Sequence, residues 1–313
     1  MSEPRFLVTG AYGCIGAWVV AELVADGRAV VTFDLSTEPR RLRLVLDESD
    51  VAAVPHVAGD ITDGAAFERT LDEHGITHVI HLAALQLPFC RADPPLGARV
   101  NVLGTVNVFE AAKRRPQLTP IVYASSIAAF DPAGTMTGHP SSIYGVYKRA
   151  NESTAAVYLG ENGISSTGLR PHTVYGVGRD QGVTSAPTSA MLAAAAGTSF
   201  TIPYGGAAQL QLARDVARAF IGASLAAHEG AAVHNLPGRK VAIQEIVATL
   251  GADRIGYDDA RLPFPEEADS ASFTASYPAF AETPLADGVA ETVERFRALL
   301  AEGLVHPPEQ GGA

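Results

Sequence analysis

The sequence predicts an α/β fold: a doubly wound parallel sheet with helices on both faces and a small C-terminal lobe. Three observations support it. Short apolar strands alternate with helical segments through residues 1–172. A glycine-rich turn joins the first strand to the first helix. Small or polar residues follow several of the later strands. Because ligands in such sheets bind beyond the carboxyl ends of the strands, the site is expected at that edge.

The elements are predicted in order from apolar periodicity and turn residues. Predicted strands cover residues 5–9, 29–33, 54–58, 77–82, 120–124 and 165–169, with a returning strand near 232–236. Predicted helices cover 17–25, 63–74, 96–114, 141–161, 184–196, 209–227 and 285–300, with a loop at 173–182 and a frayed end at 303–313. Residues 1–172 are therefore predicted to form a dinucleotide-binding domain, and residues 173–313 mainly a substrate-binding lobe.

Composition limits the function classes. The 313 residues are 47% hydrophobic and 18% charged, which is typical of a soluble globular chain. The formal net charge of −11 argues against a nucleic-acid partner. No run of eighteen apolar residues and no secretory leader pattern occurs, so a cytoplasmic chain without membrane contact is expected. Two cysteines and nine scattered histidines show no metal-ligand spacing, and no metal site is predicted.

The glycine turn has the pattern expected of a pyrophosphate site. Glycines allow the backbone to approach a ligand closely, and the following helix start offers free N–H groups and a positive dipole end. The spacing is G-x-x-G-x-x-G rather than G-x-G-x-x-G. The residues of this turn that are predicted to bind the cofactor are Gly10, Tyr12, Gly13, Cys14, Ile15 and Gly16.

An acidic residue ends the second predicted strand. Asp34 lies eighteen residues after Gly16, where a carboxylate can accept hydrogen bonds from the adenosine ribose and repel a 2′-phosphate. This favours NAD over NADP, and Leu35 is expected to contact the same nucleoside. Arg40 and Arg41 lie just downstream and could weaken the exclusion of NADP.

A tyrosine and a lysine stand four residues apart near the start of a predicted helix. Residues i and i+4 share a helix face, so the Lys148 ammonium can lie near the Tyr144 phenol. A free phenol, with a pKa of about 10, is a poor base at pH 7, but neighbouring positive charges stabilise its phenolate. Ser126, after the fifth strand, completes a trio suited to taking a proton from an alcohol.

In combination these motifs resemble the extended short-chain dehydrogenases/reductases, also called the NAD-dependent epimerase/dehydratase family, over residues 5–235. The resemblance implies a Rossmann-type domain, bound NAD and hydride transfer at a secondary alcohol, usually of a sugar. It also implies catalytic roles for Ser126, Tyr144 and Lys148. By the same resemblance, further cofactor contacts are expected from Asp60, Ile61, Leu82, Ala83, Ala84, Asn101 and Pro171, in addition to Tyr144 and Lys148.

Departures from the family pattern narrow the reaction. Dehydratases of this family carry Asp-Glu after the catalytic serine or threonine, whereas Ile127-Ala128 stands here and cannot move a proton. Nucleotide-sugar members carry an arginine that grips the diphosphate; aligning the family motif on Asp215 places Ala208 there, although Arg214 could substitute. A substrate without a nucleotide is therefore expected.

Several alternatives stay open at this point. Ser126, Gln86, Thr173 and Arg179 are the predicted substrate contacts, Arg179 either for a sugar-acid carboxylate or in a loop salt bridge with Asp180. The trio supports either a sugar epimerase or a net dehydrogenase. A nucleotide-sugar 4-epimerase and a non-catalytic NAD-binding regulator are the alternatives. A homodimer formed by the helices at 96–114 and 141–161 is expected from the resemblance.

Overall fold

A computed structural model of the chain describes residues 3–118, 120–251 and 253–308. The strands are β1 (Arg5–Thr9), β2 (Ala29–Asp34), β3 (His56–Ala58), β4 (His78–His81), β5 (Ile121–Ala124), β6 (Ser166–Arg170), β7 (Thr173–Tyr175), β8 (Phe200–Ile202), β9 (Ala207–Leu212), β10 (Ala231–Asn235), β11 (Arg239–Ala242) and β12 (Ile255–Tyr257). The α-helices are α1 (Cys14–Ala25), α2 (Glu48–Ala53), α3 (Gly64–Glu73), α4 (Leu87–Ala92), α5 (Pro94–Ala98), α6 (Gly104–Lys113), α7 (Ile143–Asn162), α8 (Ala186–Ala196), α9 (Ala213–Leu225), α10 (Ile243–Leu250), α11 (Ala271–Ser276) and α12 (Leu285–Ala301).

Seven of the described strands form the predicted parallel sheet. Its order is β10-β6-β5-β4-β1-β2-β3, and every neighbouring pair is parallel. The direction in which strands are added changes between β1 and β4, which is where such sheets bind ligands. The predicted α/β class and doubly wound sheet are confirmed.

The alternation of side chains along β1 explains why helices cover both faces. Phe6 and Val8 enter one buried cluster with residues of α1 and α9, whereas Leu7 enters another with residues of α3, α6 and α7. Successive strand residues point to opposite faces, so an all-apolar strand requires cover on both. The α9 helix, which follows residue 172, therefore packs against the main sheet, and the predicted division at that residue stays a prediction.

A second core lies in the C-terminal lobe. β7, β9 and β11 form a small mixed sheet, and β8 pairs with β12. Residues of α8, α10 and α12 pack against these strands and form one buried apolar cluster, which includes Met191, Ile246 and Phe296. The lobe thus has its own apolar core next to the carboxyl edge of the main sheet.

The predicted helix at 209–227 is wrong at its start. Residues 207–212 form β9, and the helix begins only at Ala213. The segment alternates apolar and polar residues with period two, and β9 pairs with β7 on one side and β11 on the other. These pairings with distant segments override the helical propensity of the alanines.

Other boundaries also differ from prediction. The predicted loop at 173–182 begins with strand β7, because β9 supplies a partner for it. The predicted long helix at 96–114 is divided into α5, a π-helical turn over Arg99–Leu103, and α6. After α12, residues 303–308 form neither helix nor strand, and residues 309–313 of the predicted frayed end lie outside the described residues.

Candidate active site

A cleft that opens to solvent lies beyond the carboxyl ends of β1, β4, β5 and β6. Parallel pairing aligns these ends: Thr9 is level with His81, and Ala124 with Leu169. The residues that follow each strand therefore meet at one edge. Most of the predicted site residues line this cleft: Gly10, Gly13, Cys14, Ile15, Gly16, Leu82, Ala84, Gln86, Ser126, Tyr144, Lys148, Pro171 and Arg179.

The glycine turn has the shape that a dinucleotide pyrophosphate needs. Gly10 has φ +66°, and a Cβ there would lie 2.7 Å from the Ala83 nitrogen, so only glycine lets the turn close against the end of β4. A Cβ at Gly16 would collide with the Gly10 carbonyl oxygen. The start of α1 has no side-chain cap, so its first N–H groups are available to an anion. These features fit the predicted cofactor.

The predicted nucleoside-binding residues lie beside this turn. Asp34 accepts a hydrogen bond from the Tyr12 N–H through Oδ2 at 2.9 Å, and Leu35 is 76% exposed next to it. Asp60 is exposed and caps the Thr62 N–H at 2.8 Å, while Ile61 is buried. All four are consistent with a nucleoside at the β2 and β3 ends, and their contacts with it stay predictions.

The predicted catalytic trio is assembled in the cleft. Tyr144 lies in the first turn of α7, where the Ser142 hydroxyl caps the Gly145 N–H at 3.1 Å. Ser126 follows β5, and its hydroxyl lies beside the Tyr144 phenol, where it lowers the pKa of that phenol. The Ser126 oxygen also accepts from the Ala128 N–H at 3.2 Å, which holds the serine in place. A substrate hydroxyl near the Tyr144 phenol would therefore meet both groups.

Lys148 is the third member and is deeply buried. Its Nζ donates to the Ala124 carbonyl at 2.7 Å and lies 5.6 Å from the centroid of the Tyr144 ring. Burial lowers the pKa of Lys148 to about 8, while the nearby Cys90 and Glu152 raise it. The ammonium is thus mostly protonated at pH 7 and contributes a positive charge beside the phenol.

Protein groups alone do not make Tyr144 a strong base. Burial is the largest influence and raises its pKa, whereas the Ser126 hydrogen bond and the positive charge of Arg179 lower it. The sequence argument expected a lowered pKa. The phenolate therefore requires the additional positive charge that an oxidised nicotinamide ring supplies when bound.

A buried ion pair under the trio was not predicted. Glu152, one turn after Lys148 on α7, binds Arg170 at 2.6 Å, and the Ser125 hydroxyl donates to the same carboxylate. Glu152 and Arg170 side chains are 7% and 10% exposed. The pair ties α7 to the ends of β5 and β6. Only the four-residue spacing of Lys148 and Glu152 could have suggested it from sequence.

Asn101 is buried and does not line the cleft, but its side chain supports the loop that follows β4. Its Oδ1 accepts from the Leu85 N–H at 2.7 Å, and its Nδ2 donates to the Leu85 carbonyl at 2.9 Å. His81 bridges Thr9 and Thr105 through its two ring nitrogens, and burial lowers its pKa to about 3, so it is neutral. Asn101 thus positions the loop after β4, and its predicted direct contact with the cofactor stays a prediction.

Thr173 lies outside the lining of the cleft, and its predicted contact with the substrate stays a prediction. Its side chain is fully buried and does not line the cleft, because side chains alternate along β7 and its neighbours His172 and Val174 face the cleft. His172 Nε2 donates to the Pro265 carbonyl at 2.7 Å, and burial lowers the His172 pKa to about 4. Sequence reasoning missed His172.

Phe264 is the other cleft residue that the sequence did not indicate. It belongs to a strap, residues 261–268, that crosses from the lobe to the cleft. The strap is held by the Ser141 hydroxyl, which donates to the Pro263 carbonyl at 2.9 Å, and by Gln209, which accepts from the Ala268 N–H at 3.1 Å. No local motif marks this segment, so only the folded chain reveals it.

Arg179 and Gln86 contact each other in the lining of the cleft. Arg179 donates to the Thr184 hydroxyl at 2.8 Å and approaches the Gln86 Oε1 at 3.5 Å. Its Nε is buried without a hydrogen-bond partner among the described residues. The alternative salt bridge with Asp180 is not formed, since Asp180 binds Arg40 and Arg41.

Two features are absent from the described part of the chain. No helix within residues 3–118, 120–251 and 253–308 is long and apolar enough to cross a membrane. Across the same residues, no three His, Cys, Asp or Glu side chains are grouped so as to hold a metal ion. The predicted absence of a metal stays a prediction.

The buried charge of Lys148 predicts a pH-dependent stability effect. Because the pKa of Lys148 falls from 10.5 in the unfolded chain to about 8 in the folded chain, its charge lowers the free energy of unfolding by about 3 kcal/mol below pH 8. This cost disappears as the pH rises towards 10.5. We expect the free energy of unfolding of Lys148→Met, relative to wild type, to fall by roughly 2 kcal/mol between about pH 8 and pH 9.5, measured by urea denaturation.

Lys113→Met is the matched control, because the Lys113 side chain is 47% exposed and pairs only loosely with Glu110 at 3.9 Å. Its effect should not vary over the same pH range. A difference between Lys148→Met and wild type that is constant with pH would contradict the assigned burial of the ammonium.

Curated proteins similar to this chain include several UDP-sugar 4-epimerases. UDP-glucuronate 4-epimerase 3 of Arabidopsis thaliana is 33% identical over 184 residues, covering 54% of this chain and 42% of the relative. UDP-glucose 4-epimerase of Mycolicibacterium smegmatis is 35% identical over 185 residues, covering 56% and 58%. The matches thus span about half the length of these curated relatives.

Solved structures share the fold over nearly the whole chain. UDP-glucose 4-epimerase of Thermus thermophilus, in complex with NAD, is 25% identical with a TM-score of 0.78, covering 94% of this chain and 99% of that one. L-threonine dehydrogenase of Phytophthora infestans, 21% identical with a TM-score of 0.80 and covering 96% and 99%, shows the fold alone. A sequence model of the NAD dependent epimerase/dehydratase family matches residues 6–235. The chain therefore belongs to the NAD-dependent epimerase/dehydratase family.

Proposed function

We propose that this chain transfers hydride between NAD and a secondary alcohol carbon of a sugar or sugar acid. One observation carries the proposal: Ser126, Tyr144 and the buried Lys148 line the same cleft as the glycine turn. A base, its activating cation and an anion-binding helix start are the parts that this chemistry requires.

The residues that would hold NAD run along the carboxyl edge of the sheet. Gly10 to Gly16 would hold the pyrophosphate, Asp34 the adenosine ribose, and Asp60 with Ile61 the adenine. Leu82, Ala84 and Pro171 line the cleft on the nicotinamide side. When bound, NAD supplies the hydride acceptor and a positive ring.

The chain's own residues handle the proton. Tyr144 takes the proton from the substrate hydroxyl, and Ser126 donates a hydrogen bond to the same oxygen and orients it. Lys148 stabilises the phenolate through its charge and is held for this by the Ala124 carbonyl. Epimerisation and net dehydrogenation share these steps and differ in whether the ketone stays and takes hydride back on its other face.

Arg179 is proposed to bind a carboxylate of the substrate. Within the described residues it is, besides Lys148, the other cation that lines the cleft, and it has no carboxylate partner there. Charge-assisted hydrogen bonds to a carboxylate would occupy its free N–H groups. Gln86 and Thr184, which contact it, are placed to bind neighbouring hydroxyls.

A free sugar acid fits this cleft better than a nucleotide sugar. Ala208, which stands at the family's diphosphate-binding position, is buried, and the strap binds to the same strand through Gln209 and Ala207. Arg214, the possible substitute, binds Glu291 at 2.8 Å. The nucleotide-sugar 4-epimerase remains the second candidate, because the relatives reported above act on UDP-sugars by their names.

We further propose a cytoplasmic homodimer that pairs α6 and α7 with their copies. Leu103, just before α6, and Val146 and Val157, on α7, are 44%, 42% and 53% exposed. Packing these side chains against a second copy removes them from water. Light scattering should report twice the chain mass for wild type, and Val157→Asp should shift it towards the monomer. A wild-type monomer would contradict the proposal.

The base is tested by Tyr144→Phe. The phenyl ring keeps the packing but cannot take a proton, so we expect kcat to fall at least about 10³-fold while NAD affinity changes less than about threefold. Turnover is followed by reduced-nicotinamide absorbance and by product configuration. Bulk NADH formation indicates a dehydrogenase, and inverted product without NADH indicates an epimerase.

Unchanged turnover of Tyr144→Phe would exclude this base. Wild type that binds NAD but turns over no sugar, sugar acid or nucleotide sugar would favour the non-catalytic regulator. The intact trio argues against that class, since a regulator has no use for a proton acceptor at the cleft.

Arg179→Gln tests the carboxylate contact. Loss of charge-assisted hydrogen bonds should reduce kcat/KM for a uronate by roughly 10- to 100-fold, with less than about threefold loss for the aldose that lacks the carboxylate. Arg91→Gln, at an exposed position outside the cleft, is the matched control. Equal losses on both sugars would show that Arg179 only supports its loop. Turnover of UDP-glucuronate without turnover of free glucuronate would favour the nucleotide-sugar candidate.

A further inference from the structure

One carboxylate gathers the two arginines that follow β2. Asp180, in the loop after β7, accepts from the Arg41 Nε at 2.8 Å and Nη2 at 2.7 Å, and it also binds Arg40. The Arg41 side chain is 17% exposed, so this pair is partly shielded from water. Asp180 is separated from the arginines by about 140 positions, so the contact exists only in the folded chain.

Arg41 lies next to the predicted ribose-binding acid. Asp34 accepts from the N–H of Tyr12 at 2.9 Å, and the Arg41 Nη1 donates to the carbonyl of the same residue at 3.2 Å. A carboxylate and a guanidinium therefore flank one residue of the glycine turn. In dinucleotide-binding sheets, an acid here selects the 2′-hydroxyl of NAD, whereas a nearby arginine accommodates the 2′-phosphate of NADP.

The chain thus carries one residue type that favours NAD, the acid Asp34, and one that favours NADP, the arginine Arg41. We propose that Asp180 is a cofactor-specificity residue: by binding Arg40 and Arg41 it withholds both guanidinium groups from a 2′-phosphate. With Asp180 present, the negative charges of Asp34 and Asp180 equal in number the positive charges of Arg40 and Arg41. Without it, one net positive charge and the Nε–Nη2 edge of Arg41 become available to a dianionic phosphate.

The loop that carries Asp180 has other anchors, which separate this role from simple support. The Trp18 indole N–H donates to the Val177 carbonyl at 2.9 Å. The Arg179 N–H donates to the Gly176 carbonyl at 3.1 Å. Removing the Asp180 charge is therefore expected to free the arginines while the loop keeps its place.

The experiment measures binding by calorimetry without substrate, using NAD, NADP, 5′-ADP and 2′,5′-ADP with wild type and Asp180→Asn. We expect the ratio of Kd for NADP to Kd for NAD to fall about tenfold in the variant, which corresponds to about 1.4 kcal/mol. The 2′,5′-ADP to 5′-ADP ratio should fall in parallel. Adding Arg41→Gln to Asp180→Asn should remove most of the gain.

Glu48→Gln is the matched control. Glu48 binds Arg43 at 2.9 Å in the same segment, so the variant removes one carboxylate without releasing Arg40 or Arg41. Its cofactor ratio should stay within about twofold of wild type. A similar change of the Kd ratio in Asp180→Asn and Glu48→Gln would show that the effect comes from net charge alone. That result would overturn the proposal.

Two further outcomes would overturn it. An unchanged ratio in Asp180→Asn shows that the arginines are not withheld by this carboxylate. An equal loss of affinity for both nucleotides shows that Asp180 supports the loop without selecting the cofactor. Either result leaves the proposed function intact, which fails separately if wild type binds no NAD.

Discussion

The hydrogen bond from the Lys148 ammonium to the Ala124 carbonyl joins the helix that carries the base to the strand that carries the serine. Because Ala124 ends β5 and Ser126 follows two residues later, this bond sets the distance between α7 and the Ser126 turn. Tyr144, four residues before Lys148, then meets the Ser126 hydroxyl. The geometry proposed for catalysis thus depends on a buried cation that donates to a backbone oxygen.

A buried ammonium is costly unless its charge is balanced. Glu152 lies one turn further along α7 and shares its carboxylate between Arg170 and the Ser125 hydroxyl. At the cleft, burial opposes the Tyr144 phenolate, whereas the Ser126 hydroxyl and the Arg179 charge favour it. A bound cofactor ring would add a further positive charge.

The part of the chain after residue 172 contributes residues to the lining of the cleft. β9 receives the strap over residues 261–268 at one face, and the strap delivers Phe264 to the cleft. The loop after β7 delivers Arg179 to the cleft and Asp180 to the cofactor side. Adjacent residues of one loop are therefore proposed to act on the substrate and on the cofactor.

The sequence by itself determined the strand–glycine turn–helix unit, Asp34 and the spacing of Tyr144 and Lys148. These features depend on contacts within a few residues, which backbone sterics and helical periodicity make readable. The doubly wound sheet was predictable for the same reason, since each strand and helix carries its own apolar pattern.

Only the tertiary structure decided the pairing of β7, β9 and β11, the burial of Thr173, the supporting role of Asn101 and the position of Phe264. Each depends on a partner far away in the chain. The partner of Asp180 was open between Arg179 beside it and groups elsewhere, and in the folded chain it binds Arg40 and Arg41 because the loop after β7 lies next to the segment that follows β2. Local pattern carries no information about such partners, because they are set by how the layers pack.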